Sequence, residues 1–414
     1  MDRTDGIEIC PFNLERDKEA ALRIYREVGW LEKGKEEAAL AHFRASHGIV
    51  AALRGEAESL ATCAPGTLRY LEEDLPASFI TGVTTSRIAR KQGFASQLTA
   101  RVVAQDAAEG ALVSLLGMFE QGYYDQLGFG TLGYGHRVSF APTQLRVPGR
   151  ARIPIRLSTD DWERVHANRL ERRRVHGGVA ITPPEMTHGE MLWGDNAFGL
   201  GYADSTGRLT HHLWATGKEE HGPYRVGWMA CRTREEFHEL LLLLRELGDQ
   251  VHSVRLAEPF GVQFQDLLEK PFALQEVTRG SKHESAVRAY AEYQARILDL
   301  PGCLERTRLP GAGTVRFRLS LSDPIGKLLP ENTPWRGVAG EYVVTLGPES
   351  SAELGTGKGL PVLKASVNAF TRLWLGVRPA TSLSWTDDLA GPPDLLTDLD
   401  RVLRLPDPKP DWDF

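Results

Sequence analysis

Apolar residues recur along this chain in two rhythms, and the rhythms assign its elements. From Leu14 to Val28, the residues Ala21, Leu22, Ile24, Tyr25 and Val28 share one side of a helical period. Glu36 to Ala45 is a second helix. Apolar and β-branched runs predict strands at Ile7–Cys10, His47–Leu53, Ser59–Leu71 and Ala77–Thr85, with Gly55 marking a turn. A longer helical stretch, Gly93 to Glu109, carries Leu98, Val102 and Val103 on one face. Leu112–Leu116 reads as a buried strand, Glu120–Leu127 as a short helix stopped by Gly128, and Phe129–Phe140 as one more strand.

Pro142 to Pro154 then reads as a linker, and a second unit follows. Its pattern predicts a helix at Asp160–Arg174, strands at Phe198–Ala203, Leu209–Ala215 and Tyr224–Cys231, a helix at Arg234–Leu247 and a strand at Ser253–Leu256. From about Arg288 the composition changes again. Val315–Leu321 and Glu341–Leu346 alternate as strands, Ser350–Gly359 reads as a polar loop, and Val367–Leu375 and Leu395–Leu405 are periodic. The order of elements predicts an α+β protein with mixed strand pairing. The expected units are 1–145, 146–285 and 286–414.

Composition narrows the setting. The chain has 414 residues, 42% of them apolar, which is enough for several cores. A net charge of −6 argues against a general nucleic-acid binder. Cys10, Cys63, Cys231 and Cys303 stand far apart, so neither a disulfide framework nor a zinc knuckle is expected. The acidic start lacks an apolar leader, and the longest aliphatic run, Leu240–Leu244, is far too short for a membrane span. A cytoplasmic location follows as an expectation.

The chemistry gathers between Gly82 and Leu98. Here a strand feeds a helix through Arg90-Lys91-Gln92-Gly93-Phe94-Ala95. Such a turn aims backbone N–H groups outward, and the helix N-terminus adds partial positive charge, so a pyrophosphate fits. The spacing Arg-x-x-Gly-x-Ala resembles the coenzyme A signature of the GNAT-type N-acetyltransferases. No such spacing follows the corresponding strand of the second unit, where Cys231-Arg232-Thr233-Arg234 stands.

Three blocks together resemble one family, the enhanced-intracellular-survival (Eis) acetyltransferases. They are V-T-T-S-R-I-A-R-K-Q-G from Val83 to Gly93, F-E-Q-G-Y-Y-D-Q-L-G-F-G from Phe119 to Gly130, and W-L-G-V-R-P-A-T-S-L from Trp374 to Leu383, with Phe414 as the last residue. The resemblance implies two tandem GNAT-like folds, the second degenerate, then a sterol-carrier-like domain. It implies acetyl-coenzyme A as donor, no metal, a homohexamer, and primary-amine acceptors such as aminoglycosides, polyamines or lysine-like amines. By the same resemblance Tyr124 is the general acid and the α-carboxylate of Phe414 the general base. Val83, Thr84 and Thr85 would meet the thioester and pantetheine. Arg90, Lys91, Gln92, Gly93, Phe94, Ala95 and Ser96 would cradle the pyrophosphate, and Phe119 and Glu120 would line the far side. Family members often carry proline where Arg87 stands.

Other signals have plainer expectations. Arg169–Arg174 (R-L-E-R-R-R) reads as a solvated helix face, Asp387-Asp388 as a helix N-terminal charge pair, and Tyr123 as more of a core tyrosine than Tyr124. His188, His211 and His212 lack metal-ligand spacing. The tail L-P-D-P-K-P-D-W-D-F is stiffened by three prolines and ends in aromatic residues, which predicts docking rather than fraying. The rival reading is a non-catalytic acyl-coenzyme A or lipid-binding protein that uses the last unit.

Overall fold

The computed structural model describes residues 6–270, 272, 284–311 and 313–414. The chain opens with β1 (Ile7–Pro11), α1 (Leu14–Glu27), α2 (Glu36–Arg44), β2 (His47–Leu53), β3 (Glu56–Tyr70) and β4 (Glu73–Thr85). Then come α3 (Phe94–Ala108), β5 (Val113–Gly117), a short 3₁₀ turn at Tyr124–Leu127, and β6 (Gly130–Thr131). α1 and α2 bury Ile24, Leu40 and Phe43 on one face of this sheet, while α3 buries Leu98, Val102 and Val103 on the other. The amphipathic rhythms of the sequence are therefore two helix layers on one sheet.

The predicted strand Phe129–Phe140 is two strands in two sheets. β6 belongs to the first sheet, and β7 (Gly135–Phe140) enters the second. The second unit continues with β8 (Ile155–Leu157), α4 (Trp162–Glu171), β9 (Val179–Ile181), α5 (Pro184–Trp193), β10 (Ala197–Ala203), β11 (Leu209–Gly217), β12 (Tyr224–Ala230), α6 (Arg234–Glu246) and β13 (Val254–Ala257). The run Leu240–Leu244 is core, packed on Val226, Val254 and Leu256. Two further strands, β14 (Ala286–Tyr290) and β15 (Tyr293–Ile297), separate at once: β14 pairs with β7, and β15 inserts between β5 and β6. β9 pairs with β3 of the first sheet.

The last unit holds α7 (Leu300–Glu305), β16 (Val315–Ser322), β17 (Gly340–Leu346), β18 (Ser351–Leu354), β19 (Val362–Ser366), α8 (Val367–Trp374), α9 (Ala380–Thr386), β20 (Leu389–Ala390) and α10 (Pro393–Val402). Its sheet runs β18-β17-β16-β19-β20. The polar stretch expected to be wholly loop contains β18, an edge strand that buries only Ala352 and so lacks an apolar signature. Asp387 lies at the C-terminal end of α9, not at a helix start. Both of its carboxylate oxygens accept from Arg372 Nη1, at 2.5 and 2.6 Å, and this charge-assisted contact fixes it. The first and last units share one continuous apolar core, where the Tyr70 and Trp374 rings stack at 4.5 Å. Among the described residues, no helix is long and apolar enough to cross a membrane.

Candidate active site

β4 and β5 run parallel, but their pairing covers only Ala77–Ile80 against Val113–Leu116. Beyond Ile80 the strands part, so the outer backbone groups of Thr81–Thr85 face a gap. Val83 and Thr84 are buried there, and Thr85 is half-buried. The chain then turns through Arg90, Lys91, Gln92 and Gly93, all exposed, into α3. Lys91 and Gly93 adopt positive φ angles of 61° and 79°. Glycine takes the second conformation without steric cost, which sets the helix start abruptly.

The start of α3 is open to an anion. No side chain caps it, and its first turn contains no acidic residue. The first amides of Phe94, Ala95 and Ser96, which are half-buried, keep their dipoles directed outward. The equivalent helix of the second unit, α6, follows β12, which runs parallel to β13 as β4 does to β5. There Thr233 accepts from the Glu236 amide at 3.2 Å, and Glu236 accepts from the Arg232 amide at 2.6 Å. Glu235 and Glu236 also place negative charge in its first turn. One helix end is satisfied internally and repels anions; the other does neither.

Tyr124 lies beyond the gap, on the 3₁₀ turn that Gly128 ends. It is 2% exposed, within 4.9 Å of the Tyr123 ring and 6.2 Å of Phe129. Its hydroxyl donates to no described residue, yet it is not among the fully buried unpaired polar atoms, so it keeps solvent contact. Burial raises the pKa of this phenol, with the neighbouring Tyr123 adding to the shift. The order expected for the two tyrosines is reversed: Tyr124 is the core residue and Tyr123 is half-buried, its hydroxyl 3.2 Å from Ser96 Oγ. A tyrosine can bury its ring while its tip stays available, so core and chemistry are not alternatives. Phe119 and Glu120 are both exposed on the loop after β5, with the Phe119 ring 6.2 Å from that of Tyr124.

The tail is docked along its last residues. Pro408 and Lys409 pass so close over Gly177 that a Cβ there would meet the Lys409 nitrogen at 2.3 Å. Arg172 donates to both Asp411 oxygens, at 3.0 and 2.8 Å, and the Val179 amide adds a third bond at 3.0 Å. Trp412 is 2% exposed, with the Arg169 guanidinium 3.7 Å from its ring centroid and Nε1 donating to Glu190 at 2.6 Å. Tyr293 donates to Asp413 at 2.8 Å. The Phe414 ring rests on Phe79 at 4.9 Å and Tyr293 at 5.4 Å, and its terminal oxygen lies beside Gly117, where a Cβ would stand 3.4 Å away.

Arg169 and Arg172 are therefore buried receptors for the tail, not a solvated face. The charges on α4 look solvated in sequence because their partners, Glu190 and Asp411, are supplied by distant segments. The signal that finds them is the acidic-aromatic ending itself, which needs cationic and apolar partners to dock.

Behind Arg169 a chain of hydrogen bonds reaches His166. Its Nε2–H donates to the Thr182 carbonyl at 2.9 Å, and its Nδ1 accepts from Thr187, which in turn accepts from Arg169. Burial pushes the imidazole down to about 4. The neutral ring therefore stabilises the fold above the ordinary histidine pKa of about 6.5, and that contribution is lost as pH falls toward about 4. The thermal midpoint should drop across this window. His166→Gln, which retains a donor for Thr182, should drop less; equal slopes would assign the acid sensitivity elsewhere.

A cavity of about 1400 Å³ opens between the first and second units, with Phe414, Thr62 and Thr81 on one side and Trp228 and Arg225 on the other. Tyr124 and the α3 turn are not in its wall. The gap between β4 and β5 thus separates a face bearing the basic turn and Tyr124 from a face bearing Phe414.

Comparison with known proteins bears on the fold. Residues 20–132 match the sequence model of the acetyltransferase (GNAT) domain. The chain carries a GNAT acetyltransferase domain. It is accordingly an enzyme of the acetyltransferase class, and acetyl-coenzyme A is the cosubstrate the domain implies. No curated protein sequence matches the chain. Its fold is similar to that of a GCN5-related N-acetyltransferase from Anabaena variabilis (TM-score 0.78, 13% identity, 99% of this chain and 100% of that one). It is similar also to a GCN5-related N-acetyltransferase from Kribbella flavida (0.75, 18%, 99% of each chain) and to Eis1 from Mycobacterium abscessus (0.74, 16%, 99% and 100%). At these identities the likeness concerns the fold alone, an α+β arrangement whose first sheet lies in the region of the GNAT match.

Proposed function

We propose that the protein transfers acetyl from acetyl-coenzyme A to a primary amine held in the cavity between the first and second units. The observation that carries this reading is the gap between β4 and β5, with an uncapped helix start on one side and the docked tail on the other. Acetyl-coenzyme A supplies a thioester: the amine nitrogen bonds to its carbonyl carbon, the carbon–sulfur bond breaks and the thiolate departs. The amides of Val83, Thr84 and Thr85 would polarise the carbonyl. The turn from Arg90 to Ser96 would hold the pyrophosphate, with Phe119 and Glu120 on the far side of the channel. The Phe414 carboxylate would accept the proton lost by the amine, and the Tyr124 hydroxyl would donate to the sulfur. An acid and a base on opposite faces suit this reaction, because leaving group and nucleophile approach the carbonyl from different sides.

The second unit takes no coenzyme in this reading, since its helix start is capped and acidic. Calorimetric titration with coenzyme A should give one equivalent per chain; two equivalents would overturn that assignment. Thiol release from acetyl-coenzyme A across a panel of amines tests the activity itself, and binding without release for every amine would favour a non-catalytic carrier. The sequence ranges 1–145, 146–285 and 286–414, across whose bounds the sheets exchange β7, β14 and β15, belong to the same proposal with a sterol-carrier-like character for the last, a homohexamer and a cytoplasmic setting, all carried by the family resemblance.

A further inference from the structure

The cavity wall contributed by the second sheet is unusual in its charge. One face of that sheet is core, with Val226, Val254 and Leu256 turned toward α6. Side chains alternate between faces along a strand, so the residues between them point the other way, into the cavity. Cross-strand register sets Arg225 directly beside Arg255, and Arg137 beside Arg288. All four line the cavity.

The two pairs differ. Arg137 donates to Glu292 at 2.8 Å, and Arg288 lies 3.7 Å from Glu284. Arg225 and Arg255 have no carboxylate partner among the described residues, though both are exposed to the cavity. Like charges side by side on adjacent strands repel each other and cost stability. The chain as a whole carries a net charge of −6, so this patch also runs against the average. Gly227 and Ala257, the next residues on the same face, keep the floor beside the guanidinium groups low. Two unneutralised guanidiniums over a low floor match the planar forks that bind carboxylate or phosphate. The same cavity holds the Phe414 carboxylate on its first-unit side. Acidic and basic groups both line the cavity, with Arg169, Arg172 and Lys409 near the tail and Glu258 and Glu292 near the second sheet, but Arg225 and Arg255 stand on the second-sheet wall with no carboxylate partner among the described residues.

We propose that the acceptor is an amine that also carries an acid group, a carboxylate or a phosphate monoester, which Arg225 and Arg255 hold while the amine faces Phe414; the inference rests on the acetyltransferase reading above. It separates amino-acid-like acceptors from purely cationic ones such as polyamines, which this wall repels.

The test compares matched amines by thiol release. The probes are 5-aminovalerate, its neutral amide, 1,5-diaminopentane, and 4-aminobutyl phosphate, the last distinguishing phosphate from carboxylate. The acid-bearing probes should show a KM at least tenfold below that of the amide, with the diamine poorest. In the Arg225→Gln/Arg255→Gln double variant that preference should disappear through KM rather than kcat, without a matching rise in the KM for acetyl-coenzyme A. A diamine preference, or an acid preference that survives in the double variant, would overturn the proposal. A second measurement does not need turnover: calorimetry of inorganic phosphate on enzyme saturated with coenzyme A should show binding that the double variant lacks. Absence of that binding in the parent would also overturn it. Phosphate binding lost in the variant with no amine acetylated would keep the anion site and refute the acetyltransferase reading. Turnover without acid preference would do the reverse.

Discussion

A single glycine added after Phe414 is expected to leave the protein folded and able to bind acetyl-coenzyme A, yet nearly inactive. The tail is held by contacts upstream of its last atom: Arg172 on Asp411, Glu190 on Trp412 and Tyr293 on Asp413. Those anchors fix the Phe414 ring between Phe79 and Tyr293, so the added residue must carry the carboxylate onward by about 3.3–3.6 Å. In a preorganised site a displacement of about 1 Å costs on the order of 100-fold, and here the base would leave its place beside Gly117. Phe414→Leu keeps the carboxylate and loses ring contacts, so it should retain far more activity than the extended chain. Full turnover in a C-terminally extended protein would remove Phe414 from the mechanism and leave Glu120 or a water relay as base.

Tyr124→Phe should lower kcat by roughly 100-fold or more, the scale of losing a general acid, with coenzyme affinity nearly unchanged. The substitution is close to isosteric, and the hydroxyl has no protein partner to leave unsatisfied, so the thermal midpoint should hold. The raised pKa keeps this phenol protonated through the neutral range, as a donor to a departing thiolate requires. Tyr123→Phe removes only the contact with Ser96 and should act on coenzyme affinity by a few-fold instead. Matching kinetics for the two variants would show that neither hydroxyl is the acid.

The strand, basic turn and helix around Gly93 were legible because their signal is local. Strand, basic turn, glycine and helix lie within one run of sequence, and each residue's backbone preference is visible there. Strands such as β2 and helices such as α1 were legible for the same reason: their periodicity is complete within a few turns. What escaped depends on distant partners. β14 and β15 are short, and each is a strand only because a sheet edge laid down far earlier receives it. Arg172 and Asp411 are 239 residues apart, so neither looks buried in its own context. Asp387 and Asp388 read as a helix N-terminal charge pair because Arg372, which engages both Asp387 oxygens, lies 15 residues away. The two adjacent tyrosines carry no local difference at all; the turn ended by Gly128 decides which one enters the core.

The insertion of β15 between β5 and β6 has a consequence for biosynthesis. A sheet that begins at Ile7 is not complete until Ile297 has left the ribosome. Until then β5 presents an unpaired apolar edge, Val113 to Leu116, of the kind that recruits other strands. The nascent N-terminal unit must therefore wait, half-closed, through the synthesis of the entire second unit. Excising residues 1–145 would make that waiting state permanent, so the minimal foldable form of the acetyltransferase domain must be assembled with β15 restored, by fusion or by supply as a separate peptide.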